Sequence, residues 1–293
     1  MLTLLFIGTL SLTFDIQPVE ASGTITIRAD GSIDPLGAPI NTTDMVTYYF
    51  TDNIYDEIVV ERDNIVIDGA GYTLQGTGFF LSTGIDISGR RQVTIQSVKI
   101  RNFGYGIMLE DSSNNTILRT NIANNTQGIQ LSHGSSNNTI AGNNNIISGN
   151  NITNNSESGI SLFGSSNYNS INGNTITANS YGIFFQDRLS SNNSIYHNNF
   201  MNNTEQVYSS ESTNTWDDGA GKGNYWSDYE ERYPNATEID GIWDTPYEID
   251  ADNVDRYPMV SEFHTWTSML LILIVLTVAI AACKRRLLKT PIH

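Results

Sequence analysis

Two ionisable side chains in neighbouring units of a repeated sequence could act as an acid and a base. Aligning the repeats places Asp111 beside His133, with Asp187 two units beyond His133. A carboxylate next to an imidazole can serve as a general acid/base pair, which an enzyme acting on polysaccharide requires. The simpler interpretation is that these are polar turn residues, since no arginine or second close carboxylate completes a catalytic site.

A second group of acidic residues, in the C-terminal part of the chain, could bind calcium. The segment from Asp240 to Asp244 has the Asp-Gly turn and the later Asp of a loop that wraps a hard cation. Other carboxylates close in sequence belong to Asp228, Asp250 and Asp252. A full Asp-x-Asp-x-Asp-Gly loop is absent, so the alternative is an acidic cap without a metal.

The elements that must position these residues are units of about 20–30 residues. A Gly-Ile phrase begins at Gly84, Gly106, Gly128, Gly159 and Gly182. Each unit carries short apolar runs separated by turn residues, which predicts a three-sided parallel β-helix with an aliphatic column inside. A β-sandwich would have longer strands and two-residue hairpins, and a leucine-rich repeat would have a different Leu pattern.

The same alignment predicts which side chains face outward from one side of each unit. This row contains Asp86, Met108, Gln130, Ser161 and Phe184. The row has no cluster of carboxylates, so it offers no catalytic pair of its own.

Asparagine is the most distinctive residue of the repeats, with 26 copies between residues 102 and 203. Asn tolerates the left-handed backbone conformation, and Asn amides at the same corner of successive coils can hydrogen-bond as a ladder. Nine positions match the Asn-x-Ser/Thr glycosylation pattern: Asn41, Asn114, Asn124, Asn137, Asn151, Asn154, Asn192, Asn202 and Asn235. The one long step between repeats comes from residues 143–150, interpreted as a bulged loop.

Both ends of the chain have the composition of membrane-related segments. An apolar start with small residues before a cut after Ala21 predicts a secretory signal peptide. The uncharged stretch from Trp266 to Cys283 is long enough to span a bilayer, and the basic residues after it should remain in the cytoplasm. The predicted organisation is therefore signal peptide 1–21, N-terminal strand and cap 22–57, repeats 58–208, aromatic and acidic cap 209–262, transmembrane helix 266–283 and tail 284–293.

Charge and cysteine content limit the possible partners. The net charge is −16 and no basic patch exists, which excludes nucleic acid as a partner. Residues 205–262 contain 15 acidic residues against three basic ones. Cys283 is the only cysteine, so an outward-facing domain must be stabilised by repeat packing without disulfides.

Three segments resemble a known family. The repeats, the segment from Gly223 to Tyr229, and the segment from Asp240 to Tyr247 resemble the NosD-type and carbohydrate-binding/sugar-hydrolysis (CASH) family of right-handed parallel β-helices. The stretch from Asp52 to Tyr72 is similar to the opening coil of archaeal surface members. The resemblance implies the fold more than an activity, because this repeat is shared by binders, lyases, hydrolases and epimerases.

The NosD resemblance also implies copper, since NosD proteins are linked to the copper maturation of nitrous oxide reductase. Copper prefers Cys, Met and His ligands. The candidate donors before the apolar C-terminal stretch are scattered: His133, His197, His264, Met45, Met108, Met201 and Met259. Their spacing disfavours a copper role.

We therefore expect a membrane-anchored β-helix outside the cell that binds envelope glycans or polysaccharide, or has a structural role in the envelope. The alternative is a polysaccharide lyase, hydrolase or epimerase, and a further alternative is a copper-maturation accessory protein. The repeats would be the scaffold and the sugar-facing surface, while the acidic C-terminal cap is the better place for a metal.

Overall fold

The computed structural model describes residues 23–141 and 149–260. The predicted signal peptide, transmembrane helix and basic tail lie outside these residues, as does most of the predicted loop at 143–150. Within the described ranges, no helix has the length and apolar character needed to cross a membrane.

All regular elements of the described chain are β-strands, apart from one short helix. The strands are β1 Ile25–Ile27, β2 Ile33–Asp34, β3 Ile40–Asn41, β4 Thr47–Phe50, β5 Ile58–Val60, β6 Val66–Asp68, β7 Thr73–Gln75, β8 Thr83–Asp86, β9 Thr94–Gln96, β10 Lys99–Arg101, β11 Tyr105–Glu110, β12 Thr116–Leu118, β13 Asn121–Ala123, β14 Gln127–Ser132, β15 Thr139–Ala141, β16 Asn151–Thr153, β17 Ser158–Leu162, β18 Ser170–Asn172, β19 Thr175–Thr177, β20 Tyr181–Phe185, β21 Ser194–Tyr196, β22 Asn199–Met201, β23 Glu205–Ser209, β24 Tyr225–Trp226, β25 Glu238–Ile239, β26 Ile242–Trp243, β27 Tyr247–Asp250 and β28 Asn253–Asp255. Helix α1 spans Tyr229–Arg232.

Three sheets form the sides of a parallel β-solenoid of about 7 turns, which confirms the all-β solenoid part of the predicted fold class. Sheet A has the order β2-β1-β5-β8-β11-β14-β17-β20-β23, sheet B has β21-β18-β15-β12-β9-β6-β4-β3, and sheet C has β24-β22-β19-β16-β13-β10-β7. Pairing is parallel throughout the coils. Antiparallel pairing occurs where β2 covers β1 and β3 covers β4 at the N-terminal end.

Aliphatic side chains in register fill the interior, as the sequence predicts. Along sheet A, for example, Ile107 pairs with Ile129 and Ile129 with Ile160, and all three are fully buried. Strands of three residues cannot form a stable sheet alone. Stacking coil upon coil gives each strand two hydrogen-bonded neighbours and a continuous apolar core.

The repeated glycines are required by a close approach between coils. A Cβ atom added to Gly128 would lie 2.5 Å from the carbonyl oxygen of Gly159 in the next coil, and one added to Gly106 would lie 2.5 Å from that of Gly128. The ideal Cβ position points into the core, against Ile152 or Ile122 respectively. A side chain at these positions would force neighbouring coils apart.

Asparagine ladders line the corners inside the solenoid, as predicted. In each ladder the side-chain oxygen of one Asn accepts a hydrogen bond from its counterpart in the preceding coil. The donor is the backbone N–H, and for Asn150 the contact to Asn174 comes from its side-chain amide. The three ladders contain Asn115, Asn138, Asn169, Asn193 and Asn214; Asn150, Asn174, Asn198 and Asn224; and Asn125, Asn155, Asn179 and Asn203. These amides are buried, so they are not available to bind sugar hydroxyls.

The Asn-Asn dipeptides divide two tasks between their residues. In Asn114-Asn115 and Asn124-Asn125 the second residue joins a ladder, and the first is exposed in the left-handed conformation, with φ of 59° at Asn114 and 57° at Asn124. The left-handed conformation turns the chain at the corner, and Asn adopts it at low cost.

Aromatic side chains cover the C-terminal end of the core. Trp226 stacks between Phe200 and Tyr247, with ring centroids 4.5 and 4.1 Å away. Beneath them, the indole N–H of Trp226 donates to the buried carboxyl of Asp255 at 2.9 Å. Burial raises the pKa of Asp255 to about 6, although N–H donors from Asn224, Trp226 and Tyr257 act in the opposite direction.

Candidate functional site

The predicted acid/base residues follow two neighbouring strands of sheet A. Glu110 and Ser132 are in register, so Asp111 and His133, the next residues, occupy the same corner in adjacent coils. The closest carboxylate oxygen recorded for His133 belongs to Glu110, whose Oε1 lies 3.3 Å from Nδ1. The His133 ring also contacts the Phe163 ring edge-on, with centroids 5.6 Å apart. The imidazole therefore has a carboxylate partner that sequence reasoning did not include.

The carboxylate of Asp187 accepts hydrogen bonds from nearby backbone N–H groups. One carboxylate oxygen accepts the N–H of Gly164, and the other accepts the N–H groups of Leu189 and Ser190 at 3.0 and 2.9 Å. Gly164 in turn lies against the backbone of His133. The structure thus connects Asp187 to His133 through Gly164, and the bonds it records for the carboxylate stabilise a turn.

The carboxylates of the predicted calcium group have separate partners. Asp228 accepts hydrogen bonds from Tyr247 and Gln206, and Asp244 accepts from Thr237 and Thr245. Neither side chain needs a cation to satisfy its oxygens.

The rest of that group is also dispersed. Asp250 accepts the N–H of Asp252 and the amide of Asn253. Asp240 lies in the turn between β25 and β26, with φ of 53°. Across residues 23–141 and 149–260, no three His, Cys, Asp or Glu side chains come together as a metal site.

The described copper donors do not assemble either. His133 follows β14 of sheet A and contacts Glu110, whereas His197 follows β21 of sheet B and its Nε2 lies 3.0 Å from Asp218. Met108 is on sheet A and Met201 on sheet C, so the soft ligands that copper prefers lie on different sides of the solenoid. His264 and Cys283 lie outside the described residues.

The pair of His197 and Asp218 is the most enclosed His–carboxylate contact recorded, with side chains 24% and 18% exposed. Burial opposes ionisation of Asp218, but N–H donors from Lys222 and Ala220, together with His197, lower its pKa. These bonds hold the loop after Trp216 against the last coil.

Sheet A carries a different arrangement on its outer surface. The register aligns the residues of the predicted outward row and continues it to Tyr208, although Gln130 and Ser161 within it are buried: Asp86, Met108, Gln130, Ser161, Phe184, Tyr208. A second row lies beside it, at the start of each strand: Tyr105, Gln127, Ser158, Tyr181, Glu205. We call these two rows the sheet A face.

Three aromatic rings form a cluster on the sheet A face. The centroid of Phe184 lies 4.8 Å from that of Tyr181 and 4.9 Å from that of Tyr208. Tyr208 is 39% exposed and the other two are partly exposed. The three rings therefore form an exposed apolar patch on the outside of a repeat that is otherwise polar.

Some buried polar atoms of sheet A lack a hydrogen-bond partner. The described residues contain five buried side-chain oxygens that lack a hydrogen bond, and three are on sheet A: Oε1 of Gln127, Oγ of Ser132 and Oγ of Ser158. Buried polar atoms are nearly always satisfied in folded proteins. Ser158 is in register with Tyr181 of the cluster, whereas Gln127 is one coil further away and Ser132 lies at the other end of β14.

A groove runs along the start of the last three strands of sheet A. One cavity of about 500 Å³ is lined by Ser156, Glu157, Ser180, Tyr181, Thr204 and Glu205. A second, of about 330 Å³, shares Thr204 and Glu205 and extends to Asp228, Arg232 and Tyr247 in the cap. The groove therefore passes from the aromatic cluster to the C-terminal end.

Comparison with solved structures finds partial similarities to several proteins. The periplasmic alginate epimerase AlgG matches with 22% identity over 68% of this chain and 39% of its own, at a TM-score of 0.44. The A-module of the Azotobacter vinelandii mannuronan C-5 epimerase AlgE6 matches with 16% identity over 57% of this chain and 48% of its own, at 0.42. The Dettilon tailspike protein matches with 15% identity over 72% and 57%, at 0.38.

The chain covers less than two thirds of each of these structures. None of the curated proteins matches this chain. The family comparison is more extensive, because residues 51–231 match the NosD family, described as periplasmic copper-binding proteins. This range contains most of the coils, the repeated glycines and all three asparagine ladders, and on that match the chain belongs to the NosD family.

Proposed function

We propose that this NosD-family protein binds glycans, and that the sheet A face is the binding surface. The observation that carries the proposal is the exposed cluster of Tyr181, Phe184 and Tyr208, together with the groove that Tyr181 lines. Sugar rings have apolar C–H faces and polar hydroxyl edges. A surface that combines aromatic rings with hydroxyl and amide groups complements both.

The shape of the face suits an extended oligosaccharide. The outer rows cross six strands, from β8 to β23. Neighbouring strands lie about 4.8 Å apart, so the face is about 24 Å long. Its backbone is fixed by pairing on both sides, and the surface is therefore preformed before a ligand arrives.

A glycan array on the purified full-length protein tests the proposal, followed by calorimetric titration of the strongest ligands. We expect binding that is lost in Phe184→Ala without a change in melting temperature. Binding that persists at wild-type affinity in Phe184→Ala, or an array without any ligand, would refute the sheet A face as a glycan site.

A second candidate function is catalysis on the same sheet, favoured by the 3.3 Å contact between His133 and Glu110. In this alternative His133 acts as the acid or base on a bound polysaccharide, with Asp111 at the same corner. A reducing-end assay and an NMR assay for epimerised sugars distinguish the two functions. Product that disappears in His133→Ala or Asp111→Ala would support an enzyme, and binding without product supports a binding protein.

We also propose that the β-helix lies outside the cytoplasmic membrane and is held there by residues 266–283. The periplasmic description of the family supports the location, and the apolar sequence supports the anchor. Protease added to intact spheroplasts should digest a tag placed in the β-helix and spare one placed after His293. Deletion of residues 266–293 should release the protein from the membrane fraction.

A further inference from the structure

The charges on sheet A distinguish between classes of glycan. The strands β8, β11, β14, β17, β20 and β23 contain no Lys or Arg. They carry the carboxylates of Asp86, Glu110 and Glu205, and Glu157 lies immediately before β17. A ligand on this face therefore meets negative charge along its length.

We propose, building on the glycan-binding function above, that the ligand is an amine-bearing glycan and that Glu157, Tyr181 and Glu205 bind a protonated amino sugar. These residues occupy one corner in three successive coils. The backbone N–H of Tyr181 donates to the carbonyl of Glu157 at 2.8 Å, and Tyr181 is in register with Glu205. Tyr181 thus belongs to the coil between those of the two glutamates.

This arrangement has the chemistry of an organic-cation site. An ammonium group is attracted to the face of an aromatic ring and, more strongly, to carboxylates on either side. Glu157, Tyr181 and Glu205 all line the cavity of about 500 Å³. The cavity is large enough for a sugar unit, and it adjoins the aromatic cluster that would hold the rest of the chain.

No protein cation neutralises this corner among the described residues. Glu157 accepts a hydrogen bond from the neutral amide of Gln127 at 3.0 Å, and neither Glu157 nor Glu205 takes part in a recorded ion pair. Arg232 lines the neighbouring cavity, but its guanidinium stacks on Tyr247 at 4.3 Å and donates to the carbonyl of Glu248.

The same charges exclude polyuronates as preferred ligands. A carboxylate on every sugar would lie against the acidic residues of this face, and the net charge of −16 adds repulsion at longer range. Neutral glycans would bind through the rings and hydroxyl groups but would not gain from the carboxylates.

Three hexasaccharides test the proposal by isothermal titration against the full-length protein. Chitosan hexaose and chitin hexaose share one backbone and differ in whether the amine is free or acetylated, and an oligouronate hexamer supplies the opposite charge. We expect chitosan hexaose to bind at least about tenfold more tightly than chitin hexaose in low salt, with the difference reduced in high salt. Equal affinity for the two, or tighter binding of the oligouronate, would overturn the proposal.

Variants that remove one negative charge show which residues cause the preference for the free amine. Glu157→Gln and Glu205→Gln should each reduce the chitosan preference about threefold or more while leaving chitin affinity unchanged. Glu61→Gln, an exposed residue four coils away on the same sheet, should change neither affinity. A preference that survives both substitutions would overturn the assignment to this corner.

The outcomes also separate this proposal from the proposed function. If neutral glycans bind the sheet A face without preference for amines, glycan binding stands and the amine site is wrong. If none of the three hexasaccharides and no glycan on the array binds, both are wrong.

Discussion

The side-chain oxygen of Asn138 accepts the backbone N–H of Asn115 at 3.0 Å, one coil away, while the Asn138 amide group donates to the carbonyl of Ser112 at 2.9 Å. One buried side chain thus satisfies a donor and an acceptor that the corner would otherwise leave without partners. Repeated in three ladders, this contact replaces the disulfides that the chain does not have.

Removing the side-chain amide of one ladder asparagine should therefore lower the stability of the fold. Asn169 accepts the N–H of Asn138 and donates to the carbonyl of Ser135 and to Asn193. We expect Asn169→Ala to lower the free energy of unfolding by about 3 kcal/mol, because buried polar groups lose their partners. Chemical denaturation measures the change. Asn199→Ala is the control, since Asn199 is exposed on sheet C, and it should stay within about 0.5 kcal/mol of wild type. Equal effects at the two positions would contradict the role of the ladder.

The repeated glycines should also not tolerate the methyl group of an alanine. Gly128→Ala brings a Cβ atom within 2.5 Å of a backbone oxygen in the next coil. The backbone cannot yield without disturbing neighbouring coils, so we expect a loss of about 1–3 kcal/mol or more in thermal or chemical unfolding. Gly23→Ala, where a Cβ meets nothing within 4 Å, should be neutral. A neutral Gly128→Ala would show that the coils are less closely packed than described.

Stability should depend on pH through Asp255. Its pKa is raised from 3.8 to about 6 in the folded protein because it is buried. The folded state therefore binds more protons than the unfolded state between pH 4 and 6, and stability falls as pH rises through this window, by about 3 kcal/mol in total. Carboxyls with lowered pKa, such as Asp217 beside Arg256, act oppositely and lose their contribution as pH falls through their folded pKa.

The difference between wild type and Asp255→Asn isolates this group. Unfolding free energies measured from pH 3.5 to 7 should show that the variant lacks the decline between pH 4 and 6. Parallel profiles for the two proteins would contradict the assignment.

Much of the fold could be predicted because the repeat makes each physical requirement visible several times. The Gly-Ile phrase, the inward aliphatic residues and the paired asparagines recur at fixed spacing, and each has one clear structural use. The partner of His133 was not predictable in this way. Asp111 has a φ of 50°, outside the strand, so the alternation of side chains no longer indicates where its carboxylate points, and Glu110 is the residue nearest the imidazole.

The aromatic cluster was missed for a related reason. Strict alternation places Tyr181 on the same side as Ile183, which is buried. The Tyr181 ring instead lies beside that of Phe184 on the outer surface. The residue before three of the repeated glycines is partly exposed, a signal that was present in the sequence at Tyr105, Gln127 and Tyr181.

The central claim is that the sheet A face binds glycans, and a matched pair of tyrosine variants tests it most directly. Tyr208 is 39% exposed on this face, and Tyr72 is 37% exposed outside it, just before β7 of sheet C. The affinity of the full-length protein for its best array ligand should fall about tenfold or more in Tyr208→Ala, as expected when an aromatic contact residue is removed. It should be unchanged in Tyr72→Ala, and an equal loss in both variants, or no loss in Tyr208→Ala, would contradict the claim.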